Sequence, residues 1–176
     1  MSLLKQRMND TDFQRLVEEH GKQVYNIVLV MVQDSVLAED ITQEVFMRIY
    51  RYLDQFRGEA KLSTWIYRVT KNCCLNELKR EKRQREQVQL PEDLQATVSL
   101  EGDLIQTERR TVVRQAVGKL PADQRLAIAL YYFHERSYSE VADLMELPLN
   151  TVKSHLHRAK KALAQMLECE VQNDSS

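Results

Sequence analysis

The stretch Phe56–Arg83, FRGEAKLSTWIYRVTKNCCLNELKREKR, carries the most informative pattern in this chain. It opens as a short irregular segment around Gly58 and then predicts a helix that begins at about Ser63. An aromatic ring, amides and cations recur along that helix every three or four residues, and therefore share one face that suits unstacked bases and phosphates. A core tryptophan beside an ordinary solvated charged face is the alternative interpretation. The residues on this face are Trp65, Arg68, Asn72, Asn76 and Lys79.

The bulk composition predicts an all-α protein and excludes several classes. The 176 residues suit one medium domain or two small ones, and only 4 Gly and 3 Pro leave little material for turns. Since 29% of the residues are charged but the net charge is −1, any basic site must be local. No long apolar run and no signal peptide are visible, so we expect a soluble intracellular protein without membrane insertion. The three cysteines form no CxxC pair, and we expect reduced thiols, no metal site and no cofactor.

Charge along the chain divides it into two basic units and an acidic linker. Residues 61–85 carry eight cations against two carboxylates, whereas residues 86–108 carry six carboxylates and no Lys or Arg. We therefore predict a first helical domain at 1–85, an acidic linker at 86–107, a second helical domain at 108–170 and a polar tail at 171–176. One interpretation of the linker is a mere spacer that repels DNA and keeps the two basic units apart.

The second predicted helix, from Asp34 or Ser35 to about Leu53, has two distinct faces. One face repeats apolar residues every four positions and marks the core. The other carries acidic and polar side chains, which a metal site or acid–base catalysis would also need. No HExxH pattern, calcium loop or glycine-rich phosphate loop accompanies them, so a solvated or protein-docking face is favoured over an enzyme. The residues of this second face are Asp40, Gln43, Glu44, Met47 and Arg51.

The C-terminal part predicts a helix-turn-helix. Ser137 and Glu140 form a capping box for a short helix that ends near Met145, and a turn leads to Asn150 as the expected N-cap of the last helix. Between Asn150 and Leu163 the chain has four cations and no acid, so one face of the last helix is positive. Such a helix suits major-groove bases and flanking phosphates, although a simple helical hairpin with a solvated basic face is the alternative.

Two blocks together resemble one family, the bacterial extracytoplasmic-function (ECF) RNA polymerase sigma factors. Residues 38–80, AEDITQEVFMRIYRYLDQFRGEAKLSTWIYRVTKNCCLNELKR, resemble sigma region 2 in their D-x-x-Q-E-x-F, F-R-G and S-T-W-x-Y-R patterns. Residues 120–163, LPADQRLAIALYYFHERSYSEVADLMELPLNTVKSHLHRAKKAL, are similar to sigma region 4 in their L-P, S-Y-x-E-V-A and T-V-K-S patterns. The resemblance implies a non-enzymatic factor that binds core RNA polymerase, recognises promoter −10 and −35 elements and assists strand opening.

The resemblance also implies partners and roles for individual residues. Expected partners are promoter DNA, the clamp helices and β flap of core RNA polymerase, and a cognate anti-sigma factor. The expected location is the cytoplasm, or the inner membrane when an anti-sigma factor holds the chain there. Residues implied to contact the polymerase are Asp40, Gln43, Glu44 and Met47; those implied to contact the −10 element are Phe56, Arg57, Gly58, Lys61, Ser63, Trp65, Arg68, Val69 and Asn72; those implied to contact the −35 element are Asn150, Thr151, Lys153, Ser154, His155, His157, Arg158 and Lys161.

This chain departs from the family pattern at two positions of the last helix. Asn150 and His155 stand where many members have Gly and Arg, so no −35 sequence is carried over. Two other functions compete with the sigma-factor interpretation. The nearer is a polymerase-independent helix-turn-helix regulator, and the more distant is a metal-dependent hydrolase built on Glu39, Asp40 and Glu44.

Overall fold

The computed structural model describes residues 10–56, 58, 61–88, 112–133 and 136–173. Every regular element within those ranges is helical, which confirms the all-α prediction. None of the helices in these ranges is long and apolar enough to cross a membrane. The elements are α1 (Asp10–Val32), α2 (Ser35–Tyr52) with a 3₁₀ turn (Leu53–Gln55), α3 (Leu62–Val88), α4 (residues 112–118), α5 (Ala122–Ile128) with a π-helical turn (Ala129–Phe133), α6 (Tyr138–Met145) and α7 (Leu149–Asn173).

Helices α1, α2 and α3 pack against one another and form an N-terminal unit. The start of α2 agrees with the prediction, because the Asp34 side chain accepts a hydrogen bond of 2.9 Å from the Leu37 amide. On α2 the apolar residues at spacings of four, Ile41, Val45 and Ile49, are buried. Their burial turns the acidic and polar face of α2 towards solvent.

Helices α4–α7 form a C-terminal unit in which α5 and α6 pack against α7. The predicted capping box is confirmed. The Ser137 amide donates a hydrogen bond of 2.9 Å to the Glu140 carboxylate, and the Glu140 amide donates one of 3.3 Å to the Ser137 hydroxyl. These bonds favour the ionised carboxylate and lower the pKa of Glu140 below its ordinary value.

The predicted start of the last helix is wrong by two positions. Helix α7 begins at Leu149, and the Pro148 carbonyl accepts hydrogen bonds from Thr151 at 2.9 Å and Val152 at 3.2 Å. Asn150 is therefore an exposed residue of the first turn and not the N-cap. Similarly, Pro121 is the N-cap of α5. The reason is that proline's fixed φ also fits the position just before a helix, so each helix starts directly after its proline.

The N-terminal and C-terminal units pack against each other. Helix α1 contacts α5 and the π-helical turn, α3 contacts α6, and the buried apolar residues form one cluster across both units. The Arg125 guanidinium donates hydrogen bonds to the carbonyls of Met31 and Leu120 and so ties α5 to the end of α1. Where Gly118 approaches α1, a Cβ atom would come within 3.1 Å of the Gln33 side chain. Apolar contact and hydrogen bonds thus join the two units. Residues 89–107 of the predicted linker lie outside the described residues, so its role stays a prediction.

Candidate nucleic-acid interface and docking face

The α3 face, which is the face of α3 that carries Trp65, Arg68, Asn72, Asn76 and Lys79, lies beside the short segment that precedes the helix. Phe56 and Trp65 contact each other with ring centroids 5.5 Å apart and planes inclined by 44°. Gly58 has φ 72°, a left-handed conformation that favours glycine, and turns the chain between Phe56 and α3. Arg57, Glu59 and Ala60 lie outside the described residues.

The structure brings most of the predicted −10 residues together on this side of the N-terminal unit. Trp65 is only partly buried and its ring contacts Phe56, so part of this aromatic pair stays exposed to solvent. An accessible aromatic surface beside an exposed amide suits an unpaired base, which stacks on the ring while its edge meets the amide. The exposed predicted residues are Gly58, Lys61 and Asn72, and the half-buried ones are Phe56, Ser63, Trp65, Arg68 and Val69.

Arg68 on this face is engaged with the C-terminal unit. Its guanidinium donates a hydrogen bond of 3.2 Å to the Asp143 carbonyl and lies 3.8 Å from the Glu146 carboxylate. One turn along α3, the Lys71 ammonium contacts the other oxygen of Glu146 at 2.5 Å. This hydrogen bond lowers the pKa of Glu146 below its ordinary value, with further help from the two positive charges. In the sequence Lys71 is only one of eight cations between residues 61 and 85, and no signal there indicates this contact.

A cleft of about 280 Å³ lies where α3 meets the C-terminal unit. Both units line it, with Lys61, Tyr67 and Arg68 on one side and, on the opposite side, Arg136 just before α6 together with residues of α6. Arg136 also lies over the Tyr67 ring, 5.3 Å from its centroid, which is a cation–π contact between the units. The contact between α3 and α6 is therefore polar and charged, unlike the apolar packing within each unit.

The α7 face presents its cations to solvent. Val152, Leu156 and Ala159 are buried and hold α7 against the other helices of its unit. The Ser154 hydroxyl donates a hydrogen bond of 2.9 Å to the Asn150 carbonyl. His155 differs from its neighbours, because it is half-buried and its Nδ1 atom makes no hydrogen bond within the described chain. The exposed predicted −35 residues are Asn150, Lys153, Ser154, His157, Arg158 and Lys161, and the half-buried ones are Thr151 and His155.

An exposed stripe runs along α2 opposite its buried face. All four predicted polymerase-contact residues are exposed, and apolar side chains interleave with them. Val36 is 70% exposed, Met47 62% and Tyr50 55%, which is unusual for large apolar side chains. Sequence reasoning missed Val36 and Tyr50, although their spacing from Asp40, Gln43 and Met47 places them on the same face. The α2 stripe consists of Val36, Asp40, Gln43, Glu44, Met47 and Tyr50.

The structure also places the cysteines and one carboxylate of the hydrolase hypothesis. No group of three His, Cys, Asp or Glu residues among the described ones is placed to hold a metal ion. Cys73 and Cys74 are both buried free thiols, and burial raises the pKa of Cys74 to about 12. Glu44, which the hydrolase hypothesis used, instead forms an ion pair of 2.5 Å with Arg48 one turn away.

Comparison with known proteins identifies the family. The models of sigma-70 region 2 and sigma-70 region 4 match residues 16–84 and 110–163. The RNA polymerase sigma-H factor of Pseudomonas aeruginosa is 31% identical over 173 residues, covering 93% of this chain and 90% of that protein. The ECF RNA polymerase sigma factor SigW of Bacillus subtilis is 29% identical over 168 residues, covering 88% of each. The solved structure of the sigma factor RpoE in complex with the anti-sigma factor NepR from Bartonella quintana aligns with a TM-score of 0.74 at 22% identity, covering 90% of this chain and 98% of that one.

The chain belongs to the sigma-70 family, in its ECF group. The family resemblance stated from the sequence is therefore confirmed, as is the all-α fold with one region 2 unit and one region 4 unit. The domain boundaries at residues 85 and 107 and the roles of individual residues stay predictions.

Proposed function

We propose that this chain is an ECF sigma factor that binds core RNA polymerase, directs it to promoters through −10 and −35 contacts and assists promoter melting. One observation carries this proposal: a single chain presents the aromatic and amide α3 face, the cationic α7 face and the partly apolar α2 stripe. The first suits unpaired bases, the second duplex DNA and the third a protein partner. The chain performs no chemical step of its own, and the polymerase supplies catalysis.

The α2 stripe is the proposed contact with the clamp helices of the polymerase, while region 4 reaches the β flap. Val36, Met47 and Tyr50 supply apolar area that is exposed in the free chain. Asp40 and Gln43 between them supply charge and hydrogen-bonding groups that fix the register of docking. Such a mixture of exposed apolar and polar side chains is typical of a surface that a second protein covers.

The segment from Phe56 to Ser63 and the α3 face are the proposed −10 site. An extruded base of the non-template strand stacks against the Phe56–Trp65 pair, which offsets a few kcal/mol of unstacking. Asn72 is exposed on the same side and reads a base edge. Arg68 and Lys61 balance the charge of the strand's phosphates.

The α7 face is the proposed −35 site. Helix α6 and α7 form the helix-turn-helix, and the first turns of α7 enter the major groove. Lys153, Arg158 and Lys161 are exposed cations that contact phosphates or guanine edges, while Ser154 and His157 add donors. His155 is half-buried, so we assign it to the rim of this contact.

We further propose that the chain acts in the cytoplasm under the control of a cognate anti-sigma factor. The solved Bartonella quintana sigma factor is bound by such an inhibitor, NepR. Exposed DNA-binding and polymerase-binding faces on one small protein offer an inhibitor the surfaces that it must cover. An anti-sigma factor anchored in the inner membrane would hold the chain there without any insertion of the chain itself.

Size-exclusion chromatography of the purified chain with core RNA polymerase tests this function. A sigma factor co-elutes with the polymerase and gives little DNA binding when it is alone, because each DNA-binding face makes few contacts. A polymerase-independent regulator would show the reverse pattern, with tight duplex binding and no co-elution. That reverse result would contradict the proposal.

A further inference from the structure

Lys71 is a buried cation whose partner belongs to the other unit. Its side chain is only 10% exposed, and its ammonium group contacts the Glu146 carboxylate, 75 residues later in the chain, at 2.5 Å. A buried ammonium is unfavourable unless a carboxylate or another acceptor compensates it. The contact between α3 and α6 thus depends on Glu146, and separation of the units would return Lys71 to water.

Glu146 occupies a position where a carboxylate is not the expected side chain. It is the C-cap of α6 and has φ 57° and ψ 40°, the left-handed conformation that glycine usually provides at helix ends. A side chain with a Cβ atom is strained in this conformation. The strain is accompanied by a specific gain, since the turn aims the carboxylate at two cations of region 2, Lys71 and Arg68.

Those two cations lie next to the residues of the proposed −10 site. Arg68 belongs to the α3 face, and Lys71 lies one turn later, beside Asn72. Arginine and lysine at this spacing would hold a phosphate group, which is also an anion with several acceptor oxygens. We call the chain closed when α6 packs against α3 as described above. In the closed chain the two oxygens of Glu146 take the place that such a phosphate would occupy.

The closed chain cannot contact both promoter elements at once. Elements centred at −10 and −35 are separated by about 25 base pairs, or about 85 Å of duplex at 3.4 Å per pair. A compact chain of 176 residues has a radius of gyration of only about 16 Å. Promoter binding therefore requires that region 4 leave region 2, and that step frees Lys71 and Arg68 beside the −10 site.

Given the proposed function, we propose that Lys71 and Arg68 form a phosphate-binding pair of the −10 site and that Glu146 of region 4 competes with DNA for this pair. Glu146 is a built-in phosphate mimic that keeps the free chain closed and its melting site neutralised. Docking on the polymerase separates the regions and exposes the pair where the DNA strand passes. Free chain is thereby prevented from binding single-stranded DNA indiscriminately.

Three variants of the free chain separate this competition from a purely structural contact. Glu146→Gln keeps the shape of the side chain but removes its charge. Lys71→Gln breaks the same contact from the other side. The double variant Lys71→Glu, Glu146→Lys exchanges the two charges. Closure is followed by energy transfer between dyes at the exposed residues Lys22 and Gln165. Binding is followed with a fluorescent single-stranded DNA of mixed sequence, because phosphate contacts do not depend on sequence.

Both single variants should lower energy transfer, and the charge exchange should restore much of it. Glu146→Gln should bind DNA more tightly than the unmodified chain, by about tenfold at low salt, with a salt slope steeper by about 0.7. Lys71→Gln opens the chain but keeps only Arg68 of the pair, so its gain in affinity should be clearly smaller than that of Glu146→Gln. Glu168→Gln, which makes the same charge change on α7, is the matched control and should change neither reading.

The competition is overturned if Glu146→Gln behaves like Glu168→Gln, or if Lys71→Gln gains as much DNA affinity as Glu146→Gln. Glu146→Gly removes the same carboxylate without a risk of misfolding. Glycine relieves the left-handed strain at this position, so each unit should stay at least as stable while the chain still opens. These assays contain no polymerase. A chain that failed to bind polymerase would contradict the proposed function but would leave this result unaffected.

Discussion

We expect replacement of Met47 by alanine to weaken binding to core RNA polymerase by about 5- to 30-fold. Met47 lies in the middle of the α2 stripe and is 62% exposed in the free chain. Full burial of a methionine side chain contributes about 1.5–3 kcal/mol, so covering the exposed fraction contributes about 1–2 kcal/mol. Because Met47 packs little against its own unit, its loss should change the stability of the free chain only slightly.

The assay is a fluorescence anisotropy titration of the labelled chain with core RNA polymerase. Val113→Ala is the control, since Val113 is also an exposed apolar residue, at 41%, but lies on α4 outside the α2 stripe. Thermal unfolding of both variants shows whether the fold is intact. Equal dissociation constants for Met47→Ala and Val113→Ala would refute the assignment of the α2 stripe as the docking face.

Three further predictions concern DNA contacts and closure. Trp65→Ala and Asn72→Ala should reduce run-off transcripts from duplex promoters much more than from templates with a pre-melted bubble; equal losses on both templates would contradict a melting role. Arg158→Ala in holoenzyme should weaken duplex binding and lower the salt slope by about one unit, and an unchanged slope would remove Arg158 from the −35 site. The pKa of Glu146 is lowered by its contacts with Lys71 and Arg68, so closure is fully supported above the ordinary value of 4.5 and weakens as the pH falls below it. Energy transfer between the two units should therefore hold as the pH falls to 4.5 and decrease below that value, whereas a Glu146→Gln chain should show a smaller change.

Much of each unit was predictable because its signals are local. The bounds of α2 follow from apolar spacing and from Asp34 as a cap, and the start of α6 follows from the Ser137 capping box. The helix-turn-helix could be read for the same reason. The start of α7 was misplaced, because Asn150 is a competent cap by composition while the preceding proline had already set the turn.

The packing of the two units was not predictable from these local signals. Lys71 and Glu146 are 75 residues apart, and nothing in the periodicity around either residue indicates the other. In the sequence Lys71 is one more cation of a basic helix, and Glu146 is an ordinary polar residue of a turn. Its left-handed backbone and its two cationic partners become visible only in the folded chain. Val36 and Tyr50 could have been found, since spacings of three and four extend the α2 stripe to both.

The α3 tail illustrates how charge needs a structural context. Eight cations between residues 61 and 85 suggest one continuous basic surface. In the structure Arg68 and Lys71 are neutralised by region 4, and Arg80 pairs with Glu77 at 2.7 Å within its own helix. The cations that remain available to DNA in the closed chain are thus fewer than the sequence suggests.

The central claim is that this chain confers promoter-specific initiation on core RNA polymerase. In-vitro transcription with purified core polymerase on a library of random upstream sequences measures it directly. We predict transcripts that depend on the added chain and start downstream of two short shared motifs at a constant separation. Transcription that is unchanged by the chain, or that shows no shared upstream motifs, would contradict the account.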